Sequence, residues 1–348
     1  MNTAIVIVSY QGKDWLGKCL ESCRLHAAEV PVYVVDNAST DSSAEVAAQF
    51  AGVTVLRQEV NLGFAAGNNV GLRTAMHDGA EAVLLLNQDA ELTSGCLEAL
   101  IAHLIAHAKV AGVQPAILLP SGRVNSLGNS FHYLGFGEAG GNGLSLAEAT
   151  ARLPWLRPGG EPPYLSGAAV LLRAEALRQG GLFQDELFMY HEDLELSLRL
   201  RAAGWHLAVA PQAQALHHYE PRRSLRQYYY MERNRLMVWS EIFSWPTLLV
   251  LLPALVLAEV GLLVPAIAQG WLGAKLRAYL YFLKPGTWLT IHQHRQTVCK
   301  LKRVRDAELL AYASSRVEYQ PSMGLLTRLV FNPLSSLGWA VLKPLIRW

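Results

Sequence analysis

Acids stand in this chain where chemistry is done. Leu84-Leu85-Leu86-Asn87-Gln88-Asp89 is a short apolar run that stops at a carboxylate. That is the pattern of a buried parallel strand delivering an acid to the carboxyl edge of a sheet, where open α/β sheets bind ligands. A carboxylate there can hold a divalent cation against a diphosphate. Thr93 and Ser94, just beyond, can cap a helix running to His107. Glu192 and Asp193 are paired acids in the first turn of an amphipathic helical segment, residues 188–200, whose leucines face the core. There they either complement the helix dipole or do acid-base work. Asp36 ends another apolar strand, and His217-His218 closes an extended segment.

The elements that must position these groups alternate strand with helix. Apolar, β-branched runs at residues 4–8, 32–35, 53–56, 83–86 and 110–118 predict strands. Between them, residues 14–27 carry Trp15, Leu16, Cys19, Leu20 and Cys23 on one helical side, and residues 42–50 follow the polar turn Asp36-Asn37-Ala38-Ser39-Thr40-Asp41. A third helix ends near Gly79 and starts from Asn61-Leu62-Gly63-Phe64, with glycines spaced by four at Gly63, Gly67 and Gly71. That spacing suits close helix packing and is neither G-x-G-x-x-G nor a P-loop, which removes the main support for a Rossmann oxidoreductase or a P-loop NTPase. Residues 120–163 are rich in Gly, Ser and Pro and predict a long functional or mobile loop. Residues 164–173 predict another strand, Gly204 should end the helix that Glu192 begins, and residues 206–210 and 213–216 read as two short extended segments. The whole predicts an α/β fold around a mostly parallel sheet.

A chain of 348 residues with 51% hydrophobic content can bury a large core, and a net charge of +2 makes no case for nucleic acid. Four cysteines, Cys19, Cys23, Cys96 and Cys299, lack metal-site spacing and predict a reducing compartment. The first ten residues predict a strand and no secretory signal, so the catalytic part is expected in the cytoplasm.

Residues 245–268 are almost continuously apolar, with Glu259 their only charge, and match the ~20 residues needed to cross a bilayer. Pro253, Gly261 and Pro265 interrupt the run, leaving a buried helical pair, a kinked span and a re-entrant hairpin open. Lys275, Arg277, Lys284, Arg295, Lys300, Lys302, Arg303 and Arg305 then precede the next acid, Asp306, and suit anionic headgroups. Residues 325–348 mix Leu, Val, Phe and Trp with scattered cations, as an interfacial anchor does.

Taken in order, these pieces resemble the family 2 glycosyltransferases, enzymes of the GT-A fold that transfer sugars from nucleoside diphosphate donors. The resemblance runs from Ile5-Val6-Ile7-Val8-Ser9-Tyr10 through Val34-Val35-Asp36-Asn37 with Ala38-Ser39-Thr40-Asp41 and Asn61-Leu62-Gly63-Phe64 with Asn68. It continues through Asn87-Gln88-Asp89, Ser166-Gly167-Ala168 and Glu192-Asp193 to His217. Arg233-Asn234-Arg235 after a Tyr-rich helix resembles the rhamnosyltransferase and galactofuranosyltransferase branch. The resemblance implies a GT-A-type nucleotide-sugar-binding sandwich over residues 1–240 and a C-terminal helical, membrane-associated region over residues 241–348.

It implies roles as well. Val8, Tyr10, Asp36 and Asn68 would bind the donor, and Asn87 would take the first position of a D-x-D-type motif that ends at Asp89. Asp89 and His217, with His218 the alternative, would hold Mn²⁺ or Mg²⁺. Asp193 would be the general base of an inverting transfer, with Glu192 the alternative and Glu195 orienting or packing at the helix surface. Arg222, Arg223 and Arg226 can pair with phosphates or form an exposed basic helix start. Where a Gly commonly follows the metal His, His217-His218-Tyr219-Glu220-Pro221 departs from the pattern. The expected reaction moves a sugar, rhamnose in this branch, from a TDP- or UDP-linked donor to a lipid-linked or polysaccharide acceptor. It belongs to cell-envelope glycan and lipopolysaccharide-type assembly on the cytoplasmic face of the inner membrane, with no nucleic acid partner. Two other readings exist. A noncatalytic sugar-nucleotide scaffold or sensor would suit a chain lacking Asp89 or Asp193, and both are present. A nucleotidyltransferase would need a Gly-rich basic loop after the first strand, which is missing.

Overall fold

The computed structural model describes residues 1–219, 224–318, 325 and 327–348. The first part alternates strand and helix: β1 Thr3–Ser9, α1 Lys13–His26, β2 Val32–Asp36, α2 Ser43–Ala48, β3 Val53–Arg57, α3 Gly63–His77, β4 Ala82–Leu86, β5 Ala90–Leu92, α4 Cys96–Ala106 and β6 Val110–Leu118. β7 Val124–Ser126, β8 Asn129–Phe131, β9 Gly137–Ala139, α5 Leu146–Arg152, β10 Ala169–Arg173, α6 Ala174–Gly180, α7 Glu192–Ala202 and β11 His206–His217 follow. The remainder is chiefly helical: α8 Leu225–Ile242, α9 Trp245–Ala268, α10 Leu272–Tyr281, α11 Pro285–Leu301, α12 Asp306–Leu310 and α13 Asn332–Leu342.

The main sheet has the order β3-β2-β1-β4-β10-β6-β11-β5, with β7 on β6. β1 pairs parallel with β2 and β4, and β2 with β3, so one half is parallel. Antiparallel β10 lies between β4 and β6, and β5 runs antiparallel to β11, which makes the sheet mixed. Alternation along the strands explains why helices cover both faces. Ile5, Ile7, Val34, Leu84 and Leu86 pack with Leu16 and Leu20 of α1 and Leu100 of α4. Ala4, Val6, Val83 and Leu85 pack on the other side with Leu72 of α3, Leu177 of α6 and Leu196 of α7. Each such Leu stabilises the fold by roughly 1.5–3 kcal/mol. A further core joins Leu194 and Leu198 of α7 to Trp239 of α8, Leu251 of α9 and Trp339 of α13.

Several expectations need revision. Residues 120–163 hold three strands and a helix, and Phe131, Tyr133 and Leu134 are fully buried. α5 has a full capping box between Ser145 and Glu148. The segments at 206–210 and 213–216 are one strand with an irregularity between Ala210 and Gln214. α4 starts after Gly95 in a left-handed conformation, and Thr93 Oγ1 donates to the Gln214 carbonyl instead of capping. Lys275 is fully buried against Glu232 at 2.6 Å and Glu259 at 2.8 Å, so it cannot face headgroups. Arg295 likewise turns inward to the Ser240 and Phe243 carbonyls, and Lys302 pairs with Asp306.

Candidate active site

The ends of β1, β2 and β4 meet at one edge, with Ser9 in register with Asp36. Gln88 ties β4 to β1 there: its Oε1 accepts from the Tyr10 amide at 2.9 Å and its Nε2 donates to the Tyr10 carbonyl at 3.3 Å. A Cβ on Gly12 would stand 2.1 Å from Gln88 Oε1 and 2.7 Å from Ser9 Oγ, so a larger residue there would displace the Gln88 side chain. Asp36 is buried, with Oδ1 3.4 Å from the Ser39 amide. Val8 lies beneath Gly67, Asn68 is buried with Nδ2 donating to the Phe64 carbonyl at 2.9 Å, and Tyr10 is exposed at the rim. Asn37, not singled out from the sequence, braces the entry to α3. Its amide donates to Asn61 Oδ1 at 3.1 Å and the Gly63 carbonyl at 2.9 Å, and accepts from the Leu62 amide at 2.8 Å. The signal was its place beside Asp36 at a strand end, where a buried amide must find partners.

Pairing of β11 with β5 sets His217 opposite Ala90, and the His218 amide donates to the Asp89 carbonyl at 2.9 Å. His217 Nε2 therefore stands 3.3 Å from Asp89 Oδ1, and Asn87 Nδ2 lies 3.4 Å from the same nitrogen. His217 Nδ1 is 2.9 Å from Asn125 Oδ1; with Nδ1 as the donor of that bond, Nε2 turns a lone pair to the carboxylate side. A carboxylate oxygen and an imidazole lone pair converging in this way are the donor chemistry of a divalent cation. Asn125, on β7 in the stretch expected to be loop, was missed for that reason. His218 turns away: its Nε2 is 2.5 Å from Glu91 Oε1 and its ring stacks on Trp15 at 4.6 Å. Among the described residues no group of three or more His, Cys, Asp or Glu converges as a metal site. Asp89 and His217 offer two donors that would suit a divalent cation with the rest of its ligands supplied from outside the protein.

The turn that leads into α7 is strained, with Phe188, Tyr190 and His191 at φ of 62°, 66° and 66°. Asn234 of α8 holds it. Fully buried, its amide donates to the carbonyls of Leu187 at 2.7 Å, Met189 at 2.9 Å and Tyr190 at 2.7 Å. Arg233 adds bonds to the carbonyls of Glu186 at 2.5 Å and Leu187 at 3.1 Å. Past this turn, Asp193 accepts from the Gly167 amide at 3.3 Å and the Leu194 amide at 2.8 Å. Burial raises its pKa to about 6, against the pull of those amides. Burial and then the charge of Asp193 raise Glu192 well above the carboxylate range, and Glu192 Oε2 has no partner among the described residues. The two acids titrate as a pair, and the two backbone amides on Asp193 favour the charge on that member. Glu195, expected at the helix surface, is fully buried instead. It accepts from Arg199 at 2.7 and 2.8 Å and lies 3.1 Å from His294, and Arg199 overcomes burial to hold its pKa at about 2. Arg226 lies over the Phe188 ring at 4.9 Å. Arg222, Arg223 and the Glu220-Pro221 step lie outside the described residues.

Strand-end polar groups on a sheet of this order, with an acid-bearing helix packed beside it, agree with the GT-A fold. Residues 4–179, half of the chain, match the family model of Glycosyl transferase family 2. The chain belongs to that family and is a glycosyltransferase. It is 32% identical over 234 residues to the N-acetylglucosaminyl-diphospho-decaprenol L-rhamnosyltransferase of Mycobacterium tuberculosis, covering 62% of this chain and 75% of that protein. Among solved structures, TarS of S. aureus, residues 1–349, superposes with a TM-score of 0.50 at 15% identity over 99% of this chain and 89% of that one. GalNAc-T7 with UDP, GalNAc and Mn²⁺ gives a TM-score of 0.55 at 16% identity, covering 70% of this chain and 48% of that one, about half its length. Those two likenesses concern the fold.

Proposed function

We propose that the enzyme transfers a sugar, with inversion, from a nucleoside diphosphate donor to a lipid-linked saccharide in cell-envelope glycan assembly. Rhamnose is the sugar that the relative's name supports. The observation that carries the reading is the acid pair at the start of α7. Asp193 is held by two backbone amides and raised by burial to about 6, beside a Glu192 that burial and the Asp193 charge push well above the carboxylate range. A base near that value is ionised at neutral pH and still accepts a proton from a sugar hydroxyl as it attacks the anomeric carbon from the face opposite the diphosphate, a contribution of ~10² to 10⁴ in rate. No protein nucleophile is needed for inversion. Asp89 and His217 would hold Mn²⁺ or Mg²⁺, which supplies Lewis-acid stabilisation of the charge on the departing diphosphate. Asp36, beside Val8 and Tyr10, would accept from a pyrimidine imide, and Asn68 and Asn87 would border the donor.

The C-terminal part, residues 241–348, serves on this reading as the membrane-associating part of a chain whose residues 1–240 do the transfer. α9 is one continuous helix, long and apolar enough to cross a membrane, and little of it is buried. Its single acid, Glu259, turns inward to Arg235 and Lys275. Leu249, Leu252, Val256, Val260 and Val264 form an exposed stripe. A cytoplasmic-face placement follows from a nucleotide donor. The test is transfer from TDP- and UDP-sugars, TDP-rhamnose first, to an N-acetylglucosaminyl-diphospho-polyprenol, with NMR of the product anomer. Inverted product that depends on Mn²⁺ or Mg²⁺ is expected. Retained configuration or full activity in EDTA contradicts the reading.

A further inference from the structure

Beside the candidate active site lies a cation-aromatic surface that the transfer chemistry above does not use. Phe188, in the strained turn before α7, stacks on Tyr230 at 4.9 Å, and Tyr230 meets Tyr229 edge to face at 5.1 Å. Arg226 lies 4.9 Å above Phe188, and Arg277 of α10 lies 5.3 Å above Tyr229. Two acids of this region, Glu232 and Glu259, are bound to Arg235 and Lys275, while the exposed Glu186 stands near Tyr281. Arg226 and Arg277 are both exposed and have no carboxylate partner among the described residues. A guanidinium over an aromatic ring can still turn N–H donors to an anion, and guanidinium forks match phosphate oxygens. Arg233 lies over the same two rings, 5.5 Å from Tyr229 and 4.9 Å from Tyr230, so the tyrosines hold three guanidinium groups in one cluster and an apolar chain would meet their edges.

Position selects the anion. At one end, Phe188 sits on the entry to α3, where its carbonyl accepts from the Ala65 amide at 3.1 Å and its ring would clash with any Cβ on Gly63. Asp193 borders the same helix entry, because a Cβ on Gly167 would touch both Phe64 at 3.1 Å and Asp193 at 3.7 Å. At the other end, Arg277 shares α10 with the exposed Leu276 and Leu280. The surface therefore runs from the acid pair to apolar side chains. A ligand that places a sugar hydroxyl at Asp193 and a lipid at α10 must lay its polar linker across it.

We propose that Arg226, Arg277, Tyr229 and Tyr230 form the acceptor site, binding the diphosphate and first isoprene units of a lipid diphosphate-linked saccharide. The assignment rests on the lipid-acceptor reading above, and the experiment separates the two. Full-length enzyme in neutral detergent is titrated with farnesyl diphosphate and with farnesol, and in separate arms with UDP and TDP in Mn²⁺ and with phosphatidylglycerol vesicles. The parent is expected to bind farnesyl diphosphate at least tenfold more tightly than farnesol. Arg226→Gln with Arg277→Gln should lose about tenfold or more of that affinity, as removal of charge-assisted contacts does. Nucleotide affinity and vesicle binding should stay within twofold, and the exposed positions leave the fold unchanged by circular dichroism. Tyr229→Ala should weaken farnesyl diphosphate as well. If the parent does not prefer farnesyl diphosphate to farnesol, the lipid-diphosphate acceptor itself is wrong. If the parent does and the double variant binds it equally well, only the placement fails. Parallel loss of nucleotide binding would assign the arginines to the donor, and parallel loss of vesicle binding to the bilayer; either result overturns the acceptor site.

Discussion

Single side chains decide the chemistry through the partners that hold them. On the proposed reading His217 would serve a cation through Nε2, and a bond from Nδ1 to Asn125 would keep that nitrogen's lone pair toward Asp89. Asp89→Ala and His217→Ala should each weaken donor nucleotide binding in Mn²⁺ by ~10-fold or more, while Asn125→Ala, which frees the ring to choose its tautomer, should give a smaller loss in the same titration. Equal nucleotide affinity with and without Mn²⁺ in the parent would remove the metal from the account. Elsewhere, Glu241 is buried with one oxygen on Gln184 Nε2 at 2.9 Å and the other without a partner among the described residues. Burial raises its pKa to about 8. The folded chain thus binds a proton that the unfolded chain has released between about pH 4.5 and 8, so this residue's contribution to stability falls as pH rises through that window. Glu241→Gln, which cannot ionise, should gain stability relative to the parent from pH 5 to pH 8 in urea unfolding. A parent-to-variant difference independent of pH would show that Glu241 is ionised throughout.

At the scale of elements, what could be read from the chain was what buried parallel strands write into it. Residues 4–8, 32–35 and 83–86 are apolar on both faces because helices cover both, so their ends and the acids there were plain. The sheet order was not legible, because β10 slots between β4 and β6 through pairings more than fifty residues apart. Three-residue β5 leaves almost no periodic signal, yet its register with β11 is what brings His217 to Asp89. Residues 120–163 read as loop because their turns are Gly and Pro, although Phe131 and Tyr133 anchor them in a core built with α8 and α13. Lys275 read as a headgroup contact because its two acid partners lie sixteen and forty-three residues away. Asn234 belongs at this scale too, since one amide from α8 spans three carbonyls of the turn before α7. Asn234→Ala should release that strained turn and lower kcat by ~10² with donor affinity retained, provided the variant stays folded by circular dichroism; unchanged kcat would mean that the turn needs no such clamp.

The molecule as a whole joins a soluble-type α/β sandwich to helices that expose much of their apolar surface. Leu329, Leu334, Leu337 and Val341, on and just before α13, add a second exposed patch to the stripe on α9. Trp239, Leu251 and Trp339 lock α8, α9 and α13 into one core, so the enzyme should meet a bilayer as a rigid platform. Full-length protein should float with phosphatidylglycerol vesicles, and 1 M salt should release only part of it, because apolar contact is not screened. Leu252→Lys with Val256→Lys should shift it to the soluble fraction in high salt; a parent that stays soluble without detergent or lipid would argue for apolar faces covered by another copy of the chain.

Asp193, placed by α7 and raised by burial, is the proposed acceptor of the sugar hydroxyl's proton. Its most direct test is single-turnover transfer by Asp193→Asn, measured beside donor affinity and the pH profile of the parent. The variant keeps the size of the side chain and loses the proton acceptor, so donor affinity should persist within twofold and the transfer step should slow by ~10² to 10⁴. In the parent, kcat/KM should rise with pH through about 6 and level above it. Near-parental transfer by Asp193→Asn, with transfer abolished by Glu192→Gln, would move the base to Glu192 and contradict the account.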